Sequence, residues 1–288
     1  MNLGSTPETI ELELKLGVRN CDVSAVNLAL SSVLKRVTDK STAVLDNFYF
    51  DRAGQLLELG IAIRIRSVGE LHEMTVKVRE RDEGGLSQRR EWNFPIDEQK
   101  LNYDLLSNLP LPEPALHLLR QETLGIVFEN NVERTDWLIE MDRCVVMMSL
   151  DLGSVRAGSQ QSPVSELEFE LVSGEVDQLI ELGCDVSDLL PSFMAVISKA
   201  ERGDRLIRRA NPICDPKAKN KREWLFRLSR ALDSLSGPNE SEAVRALEAI
   251  KNCSAQARFV AGLIRGELPA GLARWMIKRS LETDNESD

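Results

Sequence analysis

The sequence predicts an α+β fold: a closed eight-stranded antiparallel β-barrel with flanking helices, followed by an all-helical C-terminal extension. Three observations lead there. About eight strand-like runs precede residue 172, enough to close a barrel. Turn chemistry separates neighbouring runs, so they read as antiparallel rather than crossover-linked. The runs also repeat one pattern, with charged side chains on one face and aliphatic ones on the other.

The first strand is "TIELELKLG", in which Glu11, Glu13 and Lys15 alternate with Ile10, Leu12, Leu14 and Leu16. An amphipathic strand with a solvated charged face would look like this. So would a barrel strand whose leucines pack outward under helices while its charges line an internal passage. Residues 22–37 follow as a helix, with Asp22 or Ser24 as its cap and an apolar stripe of Val26, Leu30, Val33 and Val37. "TAVLDNFYFD" and "IAIRIRSV" are strands joined by a turn-rich piece holding Gly54 and Gly60. "HEMTVKVRERDEGGLSQRREWNFPI" reads as a hairpin turning between Asp82 and Gly85. Residues 97–125 read as loop and a short helix. Three more strands, "VERTDWLIEM", "CVVMMSLDLG" and "SELEFELVSG", precede helical patterns over 174–190 and 198–209.

A boundary is expected within 210–220, where "NPICDPKAKNK" resembles a linker between residues 1–209 and a helical extension over 221–288. In the extension, Trp224, Leu225, Leu228, Leu232 and Leu235 form one stripe. Ala243, Leu247 and Ile250 form another, and Pro238 and Pro269 mark helix starts.

Composition narrows the chemistry. The chain has 288 residues, 42% hydrophobic and 28% charged, with a net charge of −10. That charge argues against nonspecific nucleic-acid binding. No apolar run reaches the length of a membrane span and no signal peptide is evident, so a cytoplasmic, membrane-free protein is expected. The five cysteines are scattered, without disulfide or zinc spacing. The two histidines, His72 and His117, lie far apart, which disfavours imidazole metal sites and catalytic triads. Any metal would be held by carboxylates, and oxygen donors select hard cations such as Mg²⁺ or Mn²⁺.

The charged faces are sorted by sign. Glu166, Glu168 and Glu170 share one face of their strand, Arg64 and Arg66 another, Lys77 and Arg79 a third, and Arg89, Glu91 and Asn93 a fourth. A solvated face would mix charges with Thr and Ser. Clustered like charges are costly unless an ion or ligand sits among them. Carboxylate pairs around a divalent cation, beside cations around phosphoryl oxygens, suit a metal-assisted polyphosphate site.

At these residues the chain resembles the CYTH-type triphosphate tunnel metalloenzymes, most closely their bacterial inorganic triphosphatase branch. "ELELK" is similar to the ExExK signature of that family. "NFYFDRAGQLLELGIAIRIR", "MTVKVRERDEGGLSQRREWN", "LDLGSVRAG", "SELEFEL" and "SKAERG" follow in order, so the resemblance covers roughly residues 8–207. It implies an eight-stranded barrel with a charged lumen. It assigns Mg²⁺ or Mn²⁺ to Glu11, Glu13, Glu168 and Glu170, with Asp151 and Glu166 as contributors. It places Lys15, Arg64, Arg66, Lys77, Arg89, Arg134, Arg156, Lys199 and Arg202 along the phosphate path. Glu168, Glu170 and Lys15 are the catalytic candidates, with Glu168 or Glu170 taking a proton from water. Arg79 and Arg90 are read as outer solvated residues. Asp204, after "SKAERG", stands where an aromatic is usual. The short, histidine-free tail does not match the CHAD domain of the long bacterial enzymes.

The implied activity is metal-dependent hydrolysis of inorganic tripolyphosphate to phosphate and pyrophosphate. The alternatives are a thiamine triphosphatase, a class IV adenylate cyclase, or a noncatalytic polyphosphate- or nucleotide-binding module. A small-molecule triphosphate is the expected partner, and a homodimer the protein partner considered.

Overall fold

Strands this amphipathic need two different surroundings, and a closed barrel supplies both. The computed structural model describes residues 8–34, 39–83, 85–121, 124–208, 221–233, 259, 263 and 267–282. The strands are β1 (Thr9–Val18), β2 (Asp39–Asp51), β3 (Ile61–Val68), β4 (Leu71–Glu83), β5 (Leu86–Ile96), β6 (Gly125–Met141), β7 (Cys144–Ala157), β8 (Gln160–Gly174) and β9 (Ser192–Met194). The sheet runs β5-β4-β3-β2-β6-β7-β8-β1, and β5 pairs back with β1 to close eight antiparallel strands into a barrel. The short β9, absent from the sequence reading, adds to the far side of β1.

The helices are α1 (Val23–Val33), α2 (Gln55–Glu58), α3 (Tyr103–Ser107), α4 (Glu113–Arg120), α5 (Val176–Ser187), α6 (Lys199–Arg208), α7 (Lys221–Leu232) and α8 (Leu272–Leu281). Asp22 caps α1, its carboxylate accepting from the Ala25 N–H at 2.8 Å. The turn piece before β3 is the single turn α2. Asp51 holds it by accepting from the Leu56 and Leu57 N–H groups, and Gly54 before it has φ +82°. Residues 97–125 hold two short helices, α3 and α4, rather than one. The expected linker, Leu235, Pro238 and the Ala243/Leu247/Ile250 stripe lie outside the described residues.

The aliphatic faces point outward, under helices. Leu14 and Leu16 share a buried cluster with Leu167, Phe169, α1, α5 and, from the extension, Leu225, Leu228, Met276 and Ile277. On the opposite wall, Ile63, Ile65, Val76 and Trp92 pack beneath α2, α3 and α4. A third cluster, with Tyr49, Phe128, Val132 and Val164, fills part of the lumen beneath Leu206 of α6. Gly203 permits that approach, since a Cβ there would lie 2.3 Å from the Phe128 ring.

Because α7 shares its core with β1, trimming its buried face should weaken the barrel itself. Leu228→Ala, at a fully buried position, is expected to cost about 2–5 kcal/mol. Urea unfolding followed by tryptophan fluorescence checks this. One shifted transition is expected, and an unchanged barrel transition would show that the extension packs independently.

Candidate functional site: a charged barrel lumen

Register brings the sorted charges together. Glu13 stands opposite Glu170, and Lys15 opposite Glu168, across β1 and β8. Glu11 faces Arg89 across β1 and β5, and Lys77 faces Glu91 across β4 and β5. Arg134 stands opposite Asp151, which stands opposite Glu166. The cavity in the lumen has a volume of about 700 Å³, with eight cationic side chains and seven carboxylates on its walls. Its balance is therefore opposite in sign to the −10 of the whole chain, and a polyanion can enter it.

The carboxylates fall into two groups. In the first, Asp151, Glu166 and Glu168 bring one oxygen each within 4.8 Å of one another. The Lys199 ammonium sits among them, 2.7 Å from Asp151 and 2.8 Å from Glu168, and also bonds Glu166. Arg134 makes a two-pronged contact with Asp151, both at 2.7 Å, and reaches Glu168 as well. Lys15 lies 3.0 Å from Glu168. Burial alone would raise the Glu168 carboxyl, but Lys199, Lys15 and Arg134 outweigh it and hold it well below the usual range. This group is already neutralised from within.

The second group, Glu11, Glu13 and Glu170, is compensated less fully, by Lys77 at Glu11 and by Lys15 3.4 Å from Glu13. Burial opposes ionisation of Glu11, but Lys77, 2.7 Å away, and Arg89 bring its pKa down to about 2. Its other oxygen, Oε2, is buried without a hydrogen-bond partner among the described residues, and Oε1 of Glu13 accepts none either, with the Lys15 ammonium 3.4 Å away. Burial and the neighbouring Glu168 push the Glu13 carboxyl upward against Lys15. Crowding by protein atoms, then Glu11, raises Glu170 to about 7, although the residue itself reaches solvent. Buried carboxylate oxygens that accept no hydrogen bond fit a bound cation. An all-oxygen donor set suits Mg²⁺ or Mn²⁺. Among the carboxylates, Glu11, Glu13 and Glu170 would hold such an ion, with Glu168 beside them.

Facing these groups are cations short of partners. Arg64 donates to Thr75 Oγ1 at 3.1 Å, while its buried Nε has no acceptor. Arg66 donates to Asn47 Oδ1 at 3.0 Å. Burial, then the nearby Arg64 and Arg134, lowers the Arg66 pKa to about 10. Among the described residues, no carboxylate pairs with Arg64, Arg66 or Arg89, all of which line the cavity.

Two expected phosphate-path residues are placed elsewhere. Arg156 is exposed and bonded to Glu129 on the outer wall. Strand parity explains this: Asp151 faces inward on β7, so a residue five positions later faces out. Arg202 is buried, but it donates to Ser162 at 3.2 Å and bonds Asp233 just beyond α7, without lining the cavity. Glu166 lies behind Lys199 and Lys15 rather than on the cavity wall. Glu91, by contrast, lines the cavity and lies 2.9 Å from Lys77, and Arg79 lines it too. Both share an inward face with an expected site residue, and that parity was the signal to follow. Arg90 stays outside the lumen, 2.9 Å from Glu80.

An apolar recess of about 330 Å³ adjoins the cavity, sharing Tyr49, Leu57, Ile61, Ala62 and Ala200 with it. Asp204 stands on its rim, 2.9 Å from Arg208, so an ion pair borders it where an aromatic was the family's habit.

Three stability effects follow. Arg134→Met strips the fully buried Asp151 of two hydrogen bonds and of one of its two cations, leaving Lys199, and should cost about 1–3 kcal/mol in denaturant unfolding. Arg66→Met removes a cation crowded by other cations and should leave stability equal or higher. In metal-free protein, Glu170 has a folded pKa of about 7, above its ordinary 4.5. Its stabilisation is complete below pH 4.5 and is lost as pH rises through about 7. Glu170→Gln should therefore flatten the decline in stability across that window, as read from melting temperature against pH.

A CYTH domain family model matches residues 9–203. An inorganic triphosphatase of Haemophilus influenzae is 30% identical over 202 residues, covering 67% of this chain and 54% of that protein. The chain thus spans about half the length of that curated relative. Among solved structures, a Hippeastrum protein assigned as an adenylyl cyclase, with a dominant triphosphatase activity, matches at 19% identity. That match has a TM-score of 0.48 and covers 69% of this chain and 95% of the other. A Bacillus halodurans protein assigned as an adenylate cyclase matches at 23% identity and a TM-score of 0.37, over 58% and 82% of the two chains. With its barrel closed and its charges turned inward, the chain belongs to the CYTH domain family.

Proposed function

We propose that the barrel lumen is a metal-dependent triphosphatase site that hydrolyses inorganic tripolyphosphate to phosphate and pyrophosphate. One observation carries this reading: among the described residues, three arginines in no close carboxylate ion pair share a single cavity with buried carboxylate oxygens that accept no hydrogen bond. Arg64, Arg66 and Arg89 would take the phosphoryl oxygens, and Lys15 and Lys77 would complete the clamp as they yield part of their hold on Glu168 and Glu11. Glu11, Glu13 and Glu170 would hold a divalent cation, which would supply charge neutralisation for the phosphoryl oxygens. Water attacks the terminal phosphorus, the bridging P–O bond breaks, and pyrophosphate leaves with that oxygen. Of the two nominated bases, Glu168 is held ionised by three cations and is a weak acceptor. Glu170 lines the cavity and reaches solvent, so it would take the proton from water through an oxygen that does not hold the cation.

The apolar recess favours a second reading, an organic triphosphate whose nonphosphate part rests against Tyr49 and Ile61. Phosphate release from tripolyphosphate, ATP and thiamine triphosphate, each with Mg²⁺, Mn²⁺ or EDTA, separates the two. Fast release from tripolyphosphate, abolished by EDTA, is the expected result. Faster turnover of ATP or thiamine triphosphate would transfer the assignment to the second reading. Glu170→Gln should lower kcat by about 100-fold or more. Metal-dependent turnover at the parent rate in both Glu170→Gln and Glu11→Gln would defeat the site assignment.

A further inference from the structure

A smaller recess of about 90 Å³ adjoins the charged cavity on another side, sharing Glu13, Lys15, Arg79, Arg89 and Ser198 with it. It holds roughly three waters' worth of space. Its outer wall comes from the extension: Phe226 and Arg230 of α7. Neither residue lies within the family match, which ends at residue 203.

That wall is fixed rather than loosely apposed. Arg230 lies 3.0 Å from Glu201 of α6, which also accepts from Arg205 at 2.5 Å. At the other end of α7, Arg222 donates to the Asp82 carbonyl at 2.8 Å, tying the helix to the β4–β5 hairpin. Leu225 and Leu228, fully buried, hold the helix against the barrel core. A phosphate chain held by Lys15 and Arg89 and growing in this direction meets Phe226 and the Arg230–Glu201 pair almost at once.

We infer that α7 is a chain-end stop, with Phe226 and Arg230 fixing the register in which a linear polyphosphate lies across the reacting position. This inference rests on the triphosphatase reading. A chain longer than three phosphates can extend through the wide cavity, but its end cannot pass α7. The wild type therefore removes the terminal phosphate, so that tetrapolyphosphate and water give phosphate and tripolyphosphate. With the wall cut back, the chain slides one unit deeper, the central bridging P–O bond breaks, and two pyrophosphates result.

The test is the initial product ratio from tetrapolyphosphate, resolved by ³¹P NMR or ion chromatography, for the full chain and for Phe226→Ala, Arg230→Ala and the conservative Phe226→Leu. The wild type should yield phosphate and tripolyphosphate. Phe226→Ala and Arg230→Ala should raise the initial pyrophosphate share at least threefold, and Phe226→Leu should return it toward the wild-type value. Arg230, partly exposed, covers the case in which Phe226→Ala fails to fold. A product ratio, unlike a rate, does not move when the fraction of folded enzyme falls. Unchanged ratios in variants that cleave tripolyphosphate, or no cleavage of tetrapolyphosphate by any of them, would overturn the inference alone. Absence of tripolyphosphate cleavage by the wild type under every metal would overturn the triphosphatase reading and the inference with it.

Discussion

Closure of β5 onto β1 is the constraint from which the rest follows. Once that edge pairs, each inward side chain faces the opposite wall at short range, and each outward side chain needs a cover. Leu14 and Leu16 can then be fully buried only if other elements lie over β1; α5 does so, and α7 and α8 pack beside it on β9 within the same apolar cluster. The same pairing sets Glu11 opposite Arg89 and brings Glu13, Lys15 and their neighbours into one shared lumen. An open sheet with this sequence would let water screen every charge and leave nothing to organise.

Inside that space, compensation is uneven, and the unevenness makes a site. Asp151, Glu166 and Glu168 have Lys199, Lys15 and Arg134 pressed among them, so their charge is spent on internal pairs. Glu11 and Glu13 keep buried oxygens without donors, and Arg64 keeps a buried N–H without an acceptor. Buried polar atoms left unmatched cost free energy in the empty protein. Binding a cation beside one set and an anion beside the other recovers it. A complete internal match would be more stable and would bind less.

Much of this was legible because a closed barrel preserves period-2 parity. From "ELELK" the inward positions of β1 follow without error, and so do Arg64 with Arg66 and Glu168 with Glu170. Arg156 shows what happens when motif likeness is allowed to override parity: counting from Asp151 along the same unbroken strand puts it outside. Glu91 shows the reverse, since its alternation with Arg89 marked it although no motif did. The pairing of charges was not legible, because it depends on register and side-chain reach. That Lys199 would occupy the carboxylate triad follows from where α6 settles over the barrel, and Gly203 against Phe128 decides that. The three-residue β9 carries too little pattern to be read from sequence at all.

The extension ties these strands of argument together. Its apolar stripe was read as following a linker, and its Leu225 and Leu228 are buried in the same cluster as Leu14 and Leu16. The outward face of β1 thus helps position α7, while the inward face of that strand carries Glu11, Glu13 and Lys15. One ten-residue strand couples the two. Just past α7, Asp233 bonds Arg202, which reaches Ser162 on the inward face of β8. Burial pushes the Asp233 carboxyl up, with Arg202 opposing, so this pair is stable only while α6 and α7 stay in contact. Helices that began as cover for exposed leucines therefore also hold α6, and with it Lys199, at the depth where its ammonium meets three carboxylates. Packing outside the barrel sets electrostatics inside it.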